Sequence, residues 1–392
     1  MADTGSRGGG RSSQLRLGMV GGGQGAFIGA VHRIAARMDD RYRLVAGAFS
    51  AEAGRARASG RELGVAEERT YTDFAEMAAA ESKRKDGIDV VSVVTPNRFH
   101  HRVAKAFLEA GVRAICEKPM TTTLEEALDL VELVGRTRLA FCVCYNYTGY
   151  PLVRQAREMV AAGEIGQVRV VQVEYAQDWL TTRLEETGQK QAAWRTNPAE
   201  AGAGGCIGDI GTHAFNLAEF VTGLITQQVC AELTTFVPGR RVDDNVQVLL
   251  RFRGGARGML WASQVAPGNE NALRLRIFGE RGSLGWEQEE PNRLLFSRYG
   301  RPTETITRGG PGLGKAATSA TRIPSGHPEG YLEAFANIYR DFADLLTAWP
   351  DGPSGSTPSL LPGVTDGARA VQFMIAAIQS SRAGATWLDL TP

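Results

Sequence analysis

Apolar positions in the first third of the chain follow two rhythms. Short apolar runs at residues 15–20, 43–48, 89–94, 112–116 and 140–145 read as strands buried on both faces, and the stretches between them carry helical spacing. Ile28, Val31, Ile34, Ala35 and Met38 fall on one face of a helix over 26–38. Thr122 and Glu125 form a capping box for another helix, which continues through Leu124, Ala127, Leu128, Val131 and Val134. Alternation of strand and helix predicts parallel strands with crossover helices, a doubly wound α/β domain over 15–150.

After Pro151 the pattern changes. One helix over 152–162 and a strand over 168–175 precede a helix over 212–222, and a succession of strands follows at 227–236, 246–252, 256–264, 273–278 and 283–288. Short Gly, Pro or Asn turns separate these strands, as in an antiparallel sheet. Amphipathic helices at 331–349 and 364–382 would cover that sheet or bridge the domains. The expected second domain, 151–392, is therefore α+β, built on one large open sheet. The first 14 residues are rich in Gly, Ser and Arg and have no apolar core segment, so a disordered leader is expected there and not a signal peptide.

Composition narrows the partners. The 392 residues carry 44 basic and 43 acidic side chains, a net charge of +1, with no like-charged block of the kind that binds nucleic acid or an anionic membrane. No apolar run approaches the roughly 20 residues that span a bilayer. A small neutral partner is favoured. The five cysteines, Cys116, Cys142, Cys144, Cys206 and Cys230, lack CxxC spacing and mostly lie in apolar surroundings, which predicts reduced thiols in a cytoplasm, no disulfide and no metal site.

Chemistry enters at the strand ends. Directly after the first strand, Gly21-Gly22-Gly23-Gln24-Gly25-Ala26 matches G-x-G-x-x-A and opens the first helix at Phe27 and Ile28. In that context glycines allow a tight turn and close approach of a pyrophosphate to a helix N-terminus. The second strand ends Ala48-Phe49-Ser50 without an acid for a ribose 2′-hydroxyl. Ser50 and Arg55 then favour NADP over NAD, although Arg55 and Arg57 also fit a solvated helix face. Thr95-Pro96-Asn97 follows a further strand at the edge where a nicotinamide would lie, or forms a simple polar turn. His100 and His101 open the next helix and are expected to face solvent, with His100 near the cofactor side.

Glu117-Lys118-Pro119 ends the strand over 112–116. Pro119 biases Lys118 away from helical angles and presents it at the sheet's carboxyl edge, as a functional group or as an ordinary strand-ending lysine. Asn146 and Tyr147 follow the last strand of this domain and join the candidate contacts. Farther on, Asp209 and His213 precede and enter the helix over 212–222, with Gly223 as its stop. If both are helical they stand at i and i+4, where a carboxylate can fix a histidine's tautomer for proton transfer. Asp209 as a cap and His213 as a buried core residue fit the same spacing. Gln177-Asp178-Trp179 and Trp194-Arg195 could line a sugar pocket or pack in the core. Residues 309–315 imitate GxxxxGK, but Ala316 replaces the Mg²⁺-binding Ser/Thr and no strand precedes them.

The glycine turn, Glu117-Lys118-Pro119 and Gly208-Asp209-Ile210-Gly211-Thr212-His213, in that order, resemble the glucose-fructose oxidoreductase/inositol dehydrogenase (Gfo/Idh/MocA) family from Leu15 onward. The resemblance implies an N-terminal Rossmann domain, an α+β second domain and NAD(P)-dependent oxidation or reduction of a sugar, anhydrosugar or cyclitol hydroxyl. It carries the family's catalytic lysine, aspartate and histidine to Lys118, Asp209 and His213, and cofactor-side positions to Thr95, Pro96, Asn97 and Glu117. The surroundings of Asp178 and Trp179 are similar to members acting on pyranosides or anhydrosugars such as levoglucosan. The family also contains glycosidases that use transient oxidation by bound NAD, and non-catalytic dinucleotide-binding regulators. An open sheet face further implies a homodimer or homotetramer.

Overall fold

The computed structural model describes residues 14–348 and 360–390. Its first sheet contains β1 (Leu15–Gly21), β2 (Tyr42–Ala48), β3 (Val90–Val94), β4 (Arg113–Cys116) and β5 (Phe141–Val143), all parallel, in the order β2-β1-β3-β4-β5. The connections pass through α1 (Phe27–Met38), α2 (Ala53–Glu62), α3 (Phe74–Glu81), α4 (His100–Glu109) and α5 (Leu124–Thr137). The strand order reverses between β1 and β3, and such a switch point opens a crevice at the carboxyl ends of the strands.

Two expectations shift here by a residue or two. The cap of α5 is Thr123, whose hydroxyl accepts the N–H of Glu126, and the Glu126 carboxylate returns to the N–H of Thr122, so the box lies one residue later. β5 stops at Val143, because Cys144 and Tyr145 leave the sheet to enter a short turn over Asn146–Gly149.

The chain then forms α6 (Pro151–Ala161), β6 (Val168–Ala176), two short helices, α7 (Lys190–Arg195) and α8 (Pro198–Ala201), and a π-helical turn over Ile207–Gly211 that runs into α9 (Thr212–Thr222). Gly223 ends α9 in a left-handed conformation, as expected. There follow β7 (Thr226–Thr234), β8 (Asn245–Phe252), β9 (Arg257–Ser263), β10 (Ala272–Gly279), β11 (Gly282–Glu287), β12 (Arg293–Arg298), β13 (Glu304–Thr307), α10 (Lys315–Ala320), α11 (Tyr331–Ala348), α12 (Val364–Arg382) and β14 (Leu388–Asp389). With β6 they make a nine-stranded sheet ordered β13-β12-β11-β10-β6-β9-β8-β7-β14. All neighbours are antiparallel except β6 and β9. β12, β13 and β14 lie outside the expected strands, since arginines, glutamate and brevity mask their alternation.

Helices α6, α9 and α12 pack against the second sheet. On one face of the first sheet, α11 lies beside α1, where Phe335, Ile338, Tyr339 and Phe342 join Leu17, Val31, Val90 and Ile115 in one buried cluster. A helix from near the C-terminal end thus completes the core of the parallel sheet. The expected leader lies outside the described residues except for Gln14, as does Trp349 at the expected end of α11.

Candidate active site

The G-x-G-x-x-A turn leaves β1 at the switch point. A Cβ on Gly23 would come within 2.8 Å of both the Phe49 carbonyl oxygen and Ser59 Oγ, so the turn lies as close to β2 and α2 as glycine permits. Ala26, the N-cap of α1, offers no side-chain cap, and the first turn holds no acid, so the helix's leading N–H groups remain available to an anion. A cavity of about 400 Å³ is lined here by Gly23, Gln24, Gly25, Ala26, Phe27 and Arg33. Gly21, at the end of β1, does not line it and packs against Val94 and Thr95.

Phe27 also lines a second cavity, of about 630 Å³, at the carboxyl ends of β3, β4 and β5 and against the second sheet. Ile28, Thr95, Asn97, His100, Glu117, Lys118, Asn146, Tyr147, Trp179, Trp194, Arg195, Asp209 and His213 all reach it. The two cavities together follow the edge of the parallel sheet. Pro96 does not line the cavity and leads the short turn over Asn97–Phe99.

Lys118 and Asp209 meet across the domain junction. Lys118 Nζ donates to Asp209 Oδ1 at 2.9 Å and to its backbone oxygen at 2.7 Å, while Arg195 Nε and Gln264 Nε2 donate to Asp209 Oδ2 at 3.2 and 2.9 Å. Burial works against the Asp209 carboxylate, but Lys118 and Arg195 more than offset it and hold the group far below the usual carboxylate range. The expected tautomer-fixing bond from Asp209 to His213 is not formed. The cause is local: the π turn carries Asp209 out of α-helical register, and its carboxylate is taken up by the two cations and Gln264.

His213 is enclosed by Tyr145, Tyr147 and Tyr175, whose rings meet it edge-on with centroids 5.6, 4.8 and 6.2 Å away. Burial first, then Lys118, push its imidazole well below the ordinary histidine value, so the ring is neutral at pH 7. Its Nδ1 is buried without a hydrogen-bond partner, and so are Thr95 Oγ1 and Asn146 Nδ2. These three belong to residues lining one cavity and are available there to a polar ligand.

Behind Lys118, Glu117 is buried with Oε1 2.8 Å from His32 Nε2, and Oε2 accepts the N–H of Lys118 at 3.2 Å. Burial disfavours its charge, but His32, Lys118 and His100 outweigh that and keep its carboxyl below the usual range. His32 Nδ1 meets Tyr339 Oη at 2.7 Å, which ties this pair to α11. The signal for His32 was a polar residue on the apolar face of α1, between Ile28 and Ala35.

His100 departs from expectation. It is buried, with Nδ1 2.8 Å from the Pro119 carbonyl oxygen and Nε2 2.9 Å from that of Thr95. Placed between two strand-end loops, it braces them and does not face solvent.

Helix α7, which short polar stretches hide from sequence reading, brings Gln191, Trp194 and Arg195 to the cavity. Trp194 and Trp179 are half-buried in the wall; Trp179 Nε1 donates to Gln177 Oε1 at 3.0 Å, and Gln177 Nε2 to Asn271 Oδ1 at 2.8 Å. Asp178 is not part of that wall; its carboxylate accepts the N–H of Gly268 at 3.3 Å. Tyr175, Asn271, Gln288 and Tyr331 complete a lining of phenols and amides that motif reading missed, because they come from separated elements.

At the end of β2, Ser50 Oγ accepts the N–H of Glu52 at 3.1 Å, and the Glu52 carboxylate caps α2 through the N–H groups of Gly54 and Arg55. Arg55 is exposed, and an acid does stand near this strand end, two residues past Ser50. Among the described residues, His32, Glu117 and Cys144 are close enough to share an ion, but His32 and Glu117 already bond each other.

Comparison with known proteins agrees with this fold. Residues 15–145 match the model of an oxidoreductase family with an NAD-binding Rossmann fold, and residues 153–285 match the GFO/IDH/MocA C-terminal domain. An oxidoreductase from Sinorhizobium meliloti is 49% identical, with a TM-score of 0.87 over 96% of this chain and 100% of that one. An inositol dehydrogenase homolog from Azotobacter vinelandii, solved with NADH and myo-inositol, is 37% identical, with a TM-score of 0.88 over 96% and 97% of the two chains. Levoglucosan dehydrogenase, solved with NADH and levoglucosan, is 27% identical, with a TM-score of 0.81 over 96% and 99%. With both halves matched in order, the chain belongs to the GFO/IDH/MocA family, an oxidoreductase with an NAD-binding Rossmann domain.

Proposed function

We propose that this oxidoreductase interconverts a secondary hydroxyl and a ketone on a cyclitol or sugar bound in the larger cavity, with Lys118, Asp209 and His213 as its catalytic residues. The observation that carries the reading is the meeting of these three groups, His213 buried and Lys118 and Asp209 largely so, in one cavity whose other lining is mostly amide, phenol and indole. Such a wall suits a neutral ligand with many hydroxyls, because each amide or phenol both donates and accepts. Relatives solved with myo-inositol and levoglucosan support the same class.

The residues present fit a dinucleotide. Gly23, Gln24 and Gly25 with the uncapped start of α1 would hold its pyrophosphate, and Thr95, Asn97, Glu117 and Asn146 its nicotinamide end. When bound, it supplies a hydride acceptor or donor. The side chains do the rest. Nε2 of neutral His213 takes the hydroxyl proton, while Lys118, with two of its three N–H groups on Asp209, gives the remaining one to the developing alkoxide. Asp209 holds the ammonium in place. In the reductive direction His213 returns the proton. The Ser50 and Arg55 pattern leaves NADP open, but Glu52 would stand beside a 2′-phosphate held by Arg55, so NAD is the cofactor we infer as preferred.

The open face of the nine-stranded sheet suits a homodimer or homotetramer. Unpaired cysteines, four of them buried, suit a cytoplasmic protein, and among the described residues no helix is long and apolar enough to cross a membrane. The test is absorbance at 340 nm with myo-inositol, other inositols, levoglucosan and methyl glucosides, each with NAD and NADP in parallel. Turnover of a cyclitol or sugar, faster with NAD, is expected. Measurable NADH binding with no turnover across the panel would overturn the substrate class, and faster turnover with NADP would overturn the cofactor preference.

A further inference from the structure

Asp209 can meet Lys118 only if the π turn that carries it holds its position, and the amides at the start of that turn have no partners inside it. One residue from another element takes them. Asp243, just before β8, accepts the N–H of Gly205 through Oδ1 at 2.7 Å, that of Cys206 through its backbone oxygen at 2.9 Å, and that of Ile207 through Oδ2 at 2.7 Å. Three consecutive amides thus end on one aspartate, which is itself buried. A Cβ on Gly205 would come within 2.3 Å of the Asp243 backbone oxygen, so the two segments touch directly.

The neighbouring residue holds the other side. The Asp244 backbone oxygen accepts the N–H of Gln264 at 2.9 Å, and the Gln264 side-chain amide donates to Asp209 Oδ2. The Asp244 carboxylate is anchored by the N–H groups of Phe236 and Val237 and by Arg240.

We propose that Asp243 is a positioning residue for the reaction: it clamps the start of the π turn and thereby sets the Asp209 carboxylate against Lys118, without touching the cavity itself. This rests on the catalytic role proposed for Asp209. Burial pushes the Asp243 carboxyl up to about 6, against the pull of its backbone donors, so at pH 7.5 both oxygens are acceptors. Asp243→Asn keeps the size but turns an N–H₂ toward one of the backbone donors. Gly205→Ala displaces the same contact from the opposite side and serves if the first variant does not fold.

In hydrogen exchange at pH 7.5, which needs no substrate, the amides of residues 205–209 in Asp243→Asn are expected to exchange at least tenfold faster than in wild type, with NADH affinity, read by fluorescence titration, within twofold. With a substrate found by the 340 nm screen, kcat falls ten- to a hundredfold while KM changes less than threefold, and in an Asp209→Asn background the same substitution lowers kcat by no more than twofold. Unchanged exchange overturns the clamp. Faster exchange with wild-type kcat overturns its link to Asp209, and a full further loss on top of Asp209→Asn reduces Asp243 to a general stabilising role.

Discussion

Lys118 and Asp209 lie 91 positions apart in the chain, and their contact decides what each can do. A lysine held by a carboxylate presents its remaining N–H to developing negative charge, so removal of its side chain should damage chemistry more than binding. Lys118→Ala is expected to lower kcat by roughly 10²- to 10⁴-fold and leave NADH affinity within about threefold, measured by steady-state kinetics and fluorescence titration. His213 is held neutral by burial and by Lys118, and a depressed value means that protonation, with loss of the base, happens only at lower pH than for a free imidazole. The acid limb of kcat/KM for oxidation is therefore expected below pH 6.5; a limb centred near 7 or above would remove His213 from the role of base. All three residues were legible as motifs, since Lys118 precedes Pro119, Asp209 follows Gly208 and His213 lies two residues past Gly211. Their pairing was not, because spacing along the chain places Asp209 by His213, whereas a π turn and two distant cations decide otherwise.

At the scale of elements, periodicity located β1 to β11 and the long helices to within a few residues, because burial on one or both faces leaves a repeat that any reader can count. It failed for α3, α7, α8, α10, β12, β13 and β14, which are short or interrupted by charge, and α7 turns out to supply part of the cavity wall. The glycine turn is the element where local sequence and function coincide. Since a methyl group on Gly23 would press on the backbone oxygen of Phe49, Gly23→Ala must shift the turn away from β2. NADH affinity is expected to drop at least tenfold by titration, with little change in the far-ultraviolet circular dichroism.

At the scale of the molecule, the second sheet leaves one broad face unclothed by its own helices. Leu249 and Met259, 50% and 45% exposed, stand there among Gln172, Glu174, Gln247 and Trp261. Apolar side chains gathered on an open face favour self-association. If the homo-oligomer proposed above forms through this face, Leu249→Asp combined with Met259→Lys shifts the sedimentation coefficient toward a monomer with the fold intact by circular dichroism; an unchanged coefficient would overturn assembly through this face.

The chain by itself determined the doubly wound half, the large second sheet, the glycine turn and three candidate catalytic side chains, since each is written in short local patterns. Tertiary structure alone decided that α11 from the far end of the chain completes the first core, that Asp209 serves Lys118 and not His213, and that phenols and amides from scattered strands form one wall. The physical reason is range. Local repeats report which face of an element is buried, whereas the partner on that face is chosen by contacts between residues tens to hundreds of positions apart.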